Sequence, residues 1–364
     1  MKLELQPEKL FFRPTQFIGT SGSLILRRGA IEIKVAGAEA MDCVQKVYHA
    51  TSSGGATEEE VLALFDSADR PSLEHLLRQL IRRRFLVSLN QLESAAWEEE
   101  DSFHESSADV FYWHFGQTEA QAVSKLSDRR ITIVGVNCIS RQLATVLMET
   151  GFSSIEILDD PIYRNLRLFD ADGVLKRGEW PQTLPATIEQ FGSVDSLDPE
   201  SFDLLVATSD FGGLHLFSRW NEYCHLHKRN FLPVSLQRLG GYVGPFTVPG
   251  ETACFDCFRV RESMHAADPA SHRAVDEAAL EGKDLTGFIP PMASMLADTA
   301  AMEVVRFYAF GPPVWRFSSV IEVNLMVPSM TCHRVLKLPL CPVCTPVAER
   351  PTFAPSAVSV GAST

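Results

Sequence analysis

Two pairs of cysteines restrict the possible folds of this chain more than any other feature. Cys254 and Cys257 form one CxxC pair, and Cys341 and Cys344 form a second pair, separated from the first by 83 residues. Four thiolates in two such pairs are typical of a closed tetrahedral zinc site, whereas a single CxxC pair is also found in redox proteins. We therefore predict that these four residues bind a structural Zn²⁺ ion, which would bring the end of the chain back to residue 254.

Composition excludes several classes of protein. The chain has 364 residues, of which 45% are hydrophobic, so it is long and apolar enough for more than one folded domain. Its net charge of −13 argues against nucleic acid or an anionic membrane as a partner. No apolar run approaches the roughly 18 residues of a membrane helix, and the N-terminus lacks a signal-peptide core. We expect a cytoplasmic protein whose other four cysteines are packing residues.

The acidic residues are concentrated in one short stretch. Residues 91–109 contain seven carboxylates and no Lys or Arg, whereas residues 1–90 are almost neutral. A like-charged polar segment buries little surface, so we predict an exposed linker there, between a domain at 1–90 and a larger one at 110–345. Residues 346–364 are rich in Pro, Ala, Ser and Val and are predicted to form a disordered tail.

The first 90 residues change from strand-like to helix-like patterns. Ile31, Ile33 and Val35 alternate with polar residues, which predicts a half-buried strand after two shorter ones at 17–19 and 23–27. Three helical patterns follow, around residues 40–47, 57–65 and 71–81. Three strands and three helices are typical of a small winged-helix-like α+β module.

Two interpretations of this module are open. Arginines on its third helix would suit a DNA-binding winged helix, but the neutral module in an acidic chain argues against nucleic acid. The arrangement also resembles the RiPP recognition element, a PqqD-like module that binds leader peptides of ribosomally synthesised peptides by strand addition. The resemblance implies a peptide site at the third strand and third helix, although a solvated helix face would explain the arginines equally well. The residues concerned are Ile31, Ile33, Lys34, Val35, Leu73, Leu77, Arg78 and Arg82.

The larger domain begins with a pattern typical of a nucleotide-binding fold. A buried strand at 129–135 leads through a turn into a helix, and a second strand ends at Asp159 and Asp160. Further strands at 202–210 and 231–235 flank another helical segment. The sequence predicts the α/β class with a mostly parallel, Rossmann-like sheet.

From about Phe111 to Cys344 the succession of motifs resembles the ThiF/MoeB family, relatives of ubiquitin-activating enzymes. The matching pieces are the strand-turn-helix at 131–150, the acidic strand end, Asn165-Leu166-Arg167, Thr208-Ser209-Asp210, the segment 288–294 and the CxxC pairs. Members of this family typically adenylate a carboxylate with ATP and magnesium, and many are homodimers. The resemblance implies a ThiF/MoeB fold and a homodimer.

The turn that should contact the nucleotide departs from the family pattern. A phosphate-binding turn needs several glycines so that backbone N–H groups can approach the phosphates, and only Gly135 remains here. The residues that still match are Gly135, Asp159, Arg167 and Asp210, which we interpret as a vestigial nucleotide site. We therefore expect no ATP chemistry and assign no catalytic residue.

A degenerate activating fold joined to a leader-binding module resembles the ThiF-like partner proteins of azole-forming RiPP clusters. That resemblance implies a protein that binds a leader peptide and delivers the precursor to a YcaO cyclodehydratase, which forms thiazolines and oxazolines. Two alternatives remain. One is an adenylating enzyme acting on a peptide carboxylate, like the microcin-activating member of the family. The other is a sulfur-carrier activator, for which the N-terminal module would be superfluous.

Overall fold

The computed structural model describes residues 8–52, 54–88, 106–181, 187–237, 239–265, 268–278, 287–311, 318–327 and 329–345. It divides into two compact units, Met1–Ser124 and Lys125–Thr364. Most of the predicted linker (91–105) and the predicted tail (346–364) lie outside the described residues. None of the helices in the described part is long and apolar enough to cross a membrane.

The N-terminal unit contains the three strands and three helices that the periodicities predict, with additional short strands and helices. Its strands are β1 (Leu10–Phe12), β2 (Gln16–Thr20), β3 (Ser23–Arg28), β4 (Ile31–Ala36) and β5 (Leu86–Ser88). Its helices are α1 (Ala40–Ser52), α2 (Glu58–Leu62), α3 (Arg70–Arg82) and α4 (Ser107–Trp113), and α5 (Glu119–Ser127) crosses into the second unit. Strands β2, β3 and β4 form an antiparallel sheet in that order, and β1 pairs with β5.

One apolar core joins the sheet and helices of this unit. Leu24 and Leu26 of β3 are buried, and so are Leu73, Leu77 and Leu80 of α3. The predicted cap at Thr57 is present as a complete capping box with Glu60, so α2 begins where the sequence indicates.

Helix α4 belongs to this N-terminal unit, whereas the sequence analysis predicted that the larger domain begins at residue 110. Trp113 is 3% exposed and lies in the same core cluster as the helices of the module. Its indole N–H donates to the Arg84 carbonyl at 2.8 Å, while the Arg84 guanidinium donates to the His114 carbonyl at 2.8 Å. Arg13 forms an ion pair with Asp109 at 2.5 Å. The segments on either side of residues 89–105 are therefore parts of one compact unit.

The second unit has an eight-stranded sheet covered by helices. The strands are β6 (Arg130–Val134), β7 (Ser154–Asp159), β8 (Thr187–Gln190), β9 (Leu204–Ser209), β10 (Asn230–Gln237), β11 (Gly240–Val243), β12 (Ser319–Asn324) and β13 (Ser329–Arg334). The helices are α6 (Cys138–Glu149), α7 (Ser218–Leu226), α8 (Phe255–His265), α9 (Pro269–Ala278) and α10 (Pro290–Val305).

The strand order is β13-β12-β11-β10-β9-β6-β7-β8. The five strands from β10 to β8 are parallel, and β11 to β13 extend the sheet by antiparallel pairing. This confirms the predicted α/β class with a mostly parallel sheet. After β6 the chain forms β7 and β8 on one side of that strand, and it then returns to form β9 on the other side of β6. The carboxyl ends of β6 and β9 therefore border the crevice in which open α/β sheets bind ligands.

The burial of Trp113 yields a prediction about the extent of the N-terminal unit. In the full chain, Trp113→Ala should lower the free energy of unfolding of this unit by about 3–5 kcal/mol, because it removes a large buried ring from the core. Leu64→Ala is the matched control, since Leu64 is 50% exposed and should cost well under about 1 kcal/mol. Chemical denaturation monitored by circular dichroism measures both, and equal effects would show that α4 is not part of this core.

Candidate functional sites

The four predicted metal ligands come together in the core of the second unit. Cys254 and Cys257 lie at the start of α8, and the backbone of the final segment brings Cys341 and Cys344 beside them. The four sulfur atoms all lie within 4.8 Å of one another, with Sγ–Sγ distances of 3.5 Å for Cys254–Cys341 and 3.4 Å for Cys257–Cys344. All four side chains are buried.

This geometry fits one tetrahedral metal ion. Four sulfurs at the usual Zn–S distance would be roughly 3.8 Å apart, close to the spacings observed. The Leu338 N–H donates to the Cys257 sulfur at 3.4 Å. Hydrogen bonds from the Cys254 and Cys344 thiols, together with that N–H, hold the pKa of Cys257 well below its usual range. The cluster can therefore hold a metal ion, and the sequence-predicted set of residues is the set that the fold assembles.

The crevice at the carboxyl ends of β6 and β9 contains the residues predicted to be vestigial. Gly135 follows β6 with φ +103°, a conformation that favours glycine. A Cβ on Gly135 would lie 2.8 Å from the Tyr163 Cβ and 2.9 Å from the Thr208 carbonyl oxygen. The one remaining glycine of this turn is thus required by packing within the protein, whether or not a ligand binds.

Asn137 fills the centre of this turn and is fully buried. Its Oδ1 accepts hydrogen bonds from the Ile139 and Ser140 N–H groups, both at 3.0 Å, as the cap of α6. Its Nδ2 donates to the Thr208 carbonyl at 3.0 Å, to the Thr208 hydroxyl at 2.9 Å and to the Tyr163 carbonyl at 3.3 Å. The Asn137 side chain therefore joins the start of α6 to the end of β9 and to the segment that follows β7.

Asp210 supplies the remaining acceptor at the start of α6. The Cys138 N–H donates to Asp210 Oδ2 at 3.0 Å, and Asn165 Nδ2 donates to the same oxygen at 2.7 Å. Burial raises the pKa of Asp210. It also raises the pKa of Cys138 to about 11, with the negative charge of Asp210 contributing, so this thiol is not a nucleophile at neutral pH.

The two acids that end β7 are paired with arginines. Asp159 accepts two hydrogen bonds from Arg164, at 2.7 and 2.6 Å, and the buried Asp160 forms an ion pair with Arg219, whose side chain is partly exposed. Arg167 is exposed, and its backbone N–H donates to the Asn165 side chain at 3.0 Å. The sequence indicated the acids but missed both arginine partners.

The first turn of α6 therefore has no free N–H group for a phosphate. The N–H groups of residues 138–140 have acceptors in Asn137 and Asp210, and the N–H of Asn137 itself donates to the Ser140 hydroxyl at 3.0 Å. Phosphate binding at a helix start depends on such donors being unsatisfied. These hydrogen bonds stabilise the fold, and in this arrangement the N–H groups of residues 137–140 are not available to a phosphate.

Strand β4 of the N-terminal unit has the properties expected of a peptide-receiving edge. Among the described residues it pairs only with β3, with Ile31 opposite Arg28 at one end and Ala36 opposite Ser23 at the other. Ile31, Ile33 and Val35 are half-buried against the core of the unit, while Lys34 is exposed between them. An extended peptide could add its backbone to such an edge.

The residues predicted on α3 fall into two groups. Leu73 and Leu77 are 3% and 0% exposed and form part of the core, so they support the helix from inside. Arg78 and Arg82 are exposed, and Arg78 Nε donates to the Glu74 carbonyl one turn earlier at 3.2 Å. Of the four residues predicted on α3, only Arg78 and Arg82 are accessible to a partner.

No protein-family model and no curated protein matches this chain. Among solved structures, E. coli MccB with succinimide is similar over 92% of this chain and 99% of its own, with a TM-score of 0.65 and 16% identity. The microcin C7 biosynthetic enzyme MccB in complex with N-formylated MccA gives the same TM-score and identity over 93% and 100%. A heterocyclase in complex with substrate and cofactor matches 93% of this chain but 40% of its own, with a TM-score of 0.54 and 15% identity. These similarities establish the fold, and they confirm the expected ThiF/MoeB-like architecture.

The cysteine cluster yields a prediction about metal content. The purified chain should contain about one metal ion per molecule, and Cys341→Ser should abolish most of it and lower the melting temperature, because a structural site needs all four ligands. Cys332→Ser is the matched control, since Cys332 lies outside the cluster and is exposed, contrary to the expectation that it is a packing residue. Elemental analysis by plasma mass spectrometry measures the content. A metal-free wild-type chain with unchanged stability would contradict the assignment.

Proposed function

We propose that this protein is a non-catalytic partner in the biosynthesis of ribosomal peptides. It binds the leader of a precursor peptide and delivers the precursor to a YcaO cyclodehydratase, which forms the thiazoline or oxazoline rings. The observation that carries this proposal is the start of α6, where Asn137 and Asp210 accept the hydrogen bonds that a nucleotide phosphate would otherwise accept.

The N-terminal unit supports the peptide-binding half of the proposal. Strand β4 offers an open edge among the described residues, with half-buried apolar side chains on one face. Arg78 and Arg82 add exposed positive charge on α3 of the same compact unit. Similar chains of MccB have been solved with the peptide MccA. We therefore propose that the leader binds as an added strand at β4, with charged contacts to the arginines.

The heterocyclase similarity supports the delivery half. This chain corresponds to 40% of that larger chain, which was solved with substrate and cofactor. We propose that the function of the rest of that chain is performed here by a separate cyclodehydratase. Holding the leader would then raise the effective concentration of the core Cys, Ser and Thr residues at the partner, without any chemical group supplied by this chain.

The remaining expectations fit this function. We propose that the ion in the cysteine cluster is structural Zn²⁺, which ties the last segment of the chain to α8. We also propose a cytoplasmic homodimer with a leader-binding domain near residues 1–90, an acidic linker near 91–109 and a tail after 345. The burial of Trp113 suggests that the leader-binding domain includes α4 as well.

The first test concerns ATP. Because MccB has been solved with ATP, an adenylating enzyme acting on a peptide carboxylate is the second candidate. The chain alone should show no ATP–pyrophosphate exchange above background with a precursor peptide, because the first turn of α6 has no free N–H group to donate to a phosphate. Addition of a YcaO cyclodehydratase should produce ATP-dependent loss of one water per ring, which mass spectrometry of the precursor peptide would detect. Exchange by the chain alone that Asp210→Asn abolishes would favour the enzyme.

The second test concerns the leader. Isothermal titration of the full chain with the leader segment of the same precursor peptide should show saturable binding. Arg78→Glu combined with Arg82→Glu should weaken it about tenfold, because two exposed charge contacts are reversed. Arg177→Glu, on the exposed surface of the second unit, is the matched control and should leave affinity unchanged. If deletion of residues 1–90 left binding intact, the proposed site would be wrong.

A further inference from the structure

The turn that leads into β4 is held from outside the sheet by one histidine. Gly29 has φ +56° in this turn, and a Cβ placed on it would lie 2.4 Å from His114 Nε2 and 3.1 Å from a methyl group of Val110. The N–H of Ala30, the residue just before β4, donates to the same His114 Nε2 at 3.3 Å. The imidazole therefore packs against the turn and also accepts a hydrogen bond from its backbone.

His114 is itself fixed in place. It follows Trp113, whose ring lies 5.0 Å from the imidazole and is buried in the core of the unit. The Arg84 guanidinium donates to the His114 carbonyl at 2.8 Å. The position of the imidazole is thus set by a buried anchor next to it, so the turn is docked onto α4.

The hydrogen bond from Ala30 requires a neutral imidazole. Nε2 can accept only when it carries no proton, which leaves the single ring proton on Nδ1. Burial lowers the pKa of His114, and the positive charges of Arg28 and Arg84 lower it further. Asp109 is the acid on the same helix, and it is paired with Arg13 at 2.5 Å and with Arg28 at 3.8 Å.

We propose that His114 is a positioning residue for the peptide-receiving edge, which it holds in place by accepting the Ala30 N–H at the entry to β4. Protonation of the imidazole removes this acceptor and places a third cation near Arg28 and Arg84. The turn then loses its support, and the entry to β4 becomes less ordered. The role in peptide binding rests on the proposed function, whereas the support of the turn does not.

The direction of the pH dependence follows from the neutral form. A histidine whose pKa is lowered by folding contributes its stabilisation above the ordinary value of 6.5, and this contribution is lost as the pH falls through the lowered value. The turn should therefore be ordered near neutral pH and loosened in mild acid.

Residue-resolved hydrogen exchange on the full chain tests this without any ligand. Protection of the Ala30 amide, corrected for the intrinsic rate, should fall as the pH is lowered from about 7.5 to about 5, reaching about tenfold once the imidazole is fully protonated, as expected for one lost hydrogen bond. In His114→Ala, the Ala30 amide should be unprotected at both pH values. In His114→Gln, the Ala30 amide should be protected at both pH values. The glutamine side-chain oxygen lies about as far from the backbone as Nε2 does, accepts the same hydrogen bond and does not titrate.

A pair of glycine variants controls for backbone strain. Gly22, in the β2–β3 turn, has φ +82° and would have nothing within 4 Å of an added Cβ, whereas a Cβ on Gly29 would push the imidazole away. Gly29→Ala should reduce Ala30 protection well beyond any effect of Gly22→Ala. Equal effects of the two, or wild-type protection in His114→Ala, would overturn the proposal.

Leader titrations then connect the turn to binding. The affinity of the wild-type chain should fall about fivefold over the same pH range, and that of His114→Gln should not change. If the exchange results hold but no leader binds at any pH, the support of the turn stands and the proposed function fails. If the leader binds with no difference between the wild-type chain and His114→Gln, the link between His114 and peptide binding is wrong.

Discussion

The buried amide of Asn137 is the interaction on which the architecture of the second unit depends. It caps α6 and bonds to the carbonyls of Thr208 and Tyr163, so it fixes the helix start against the end of β9 and the segment that follows β7. The Asn137 side chain is fully buried, and its loss would leave several of these groups without partners at a cost of about 1–3 kcal/mol each. A glycine-rich turn has no side chain that could do this, and it leaves the same N–H groups free for a phosphate.

The retained acids of the crevice have structural partners as well. Asp159 is held by Arg164, Asp160 by Arg219, and Asp210 by the helix start and Asn165. Each of these acids matches the order of a nucleotide-binding family, yet each is neutralised or hydrogen-bonded within the protein. A buried acid without such a partner would be costly, so pairing of this kind stabilises the fold whether or not a ligand contacts the charge.

Much of this arrangement could be predicted from the sequence. Period-two and helical patterns located β2 to β4 and α1 to α3, and the spacing of the cysteines identified the four residues that the fold brings together. The partners of the acids could not be predicted, because Asp160 and Arg219 are 59 residues apart and meet only through the sheet topology. The inward orientation of Leu73 and Leu77 was also missed, since an amphipathic helix pattern shows which residues share a face but not what covers that face.

The packing of α4 could not be predicted from the sequence either, and it determines what supports the turn before β4. The acidic composition of residues 91–109 indicated a boundary between domains, but composition carries no information on where the chain packs next. Trp113 returns the chain to the N-terminal core, and this return places His114 against the turn before β4. An edge strand paired on one side gains little order from its own sheet, because half of its backbone groups have no partner there. Support from a helix more than 70 residues away in sequence therefore provides what the small sheet lacks: a fixed starting point for the strand that would receive a peptide.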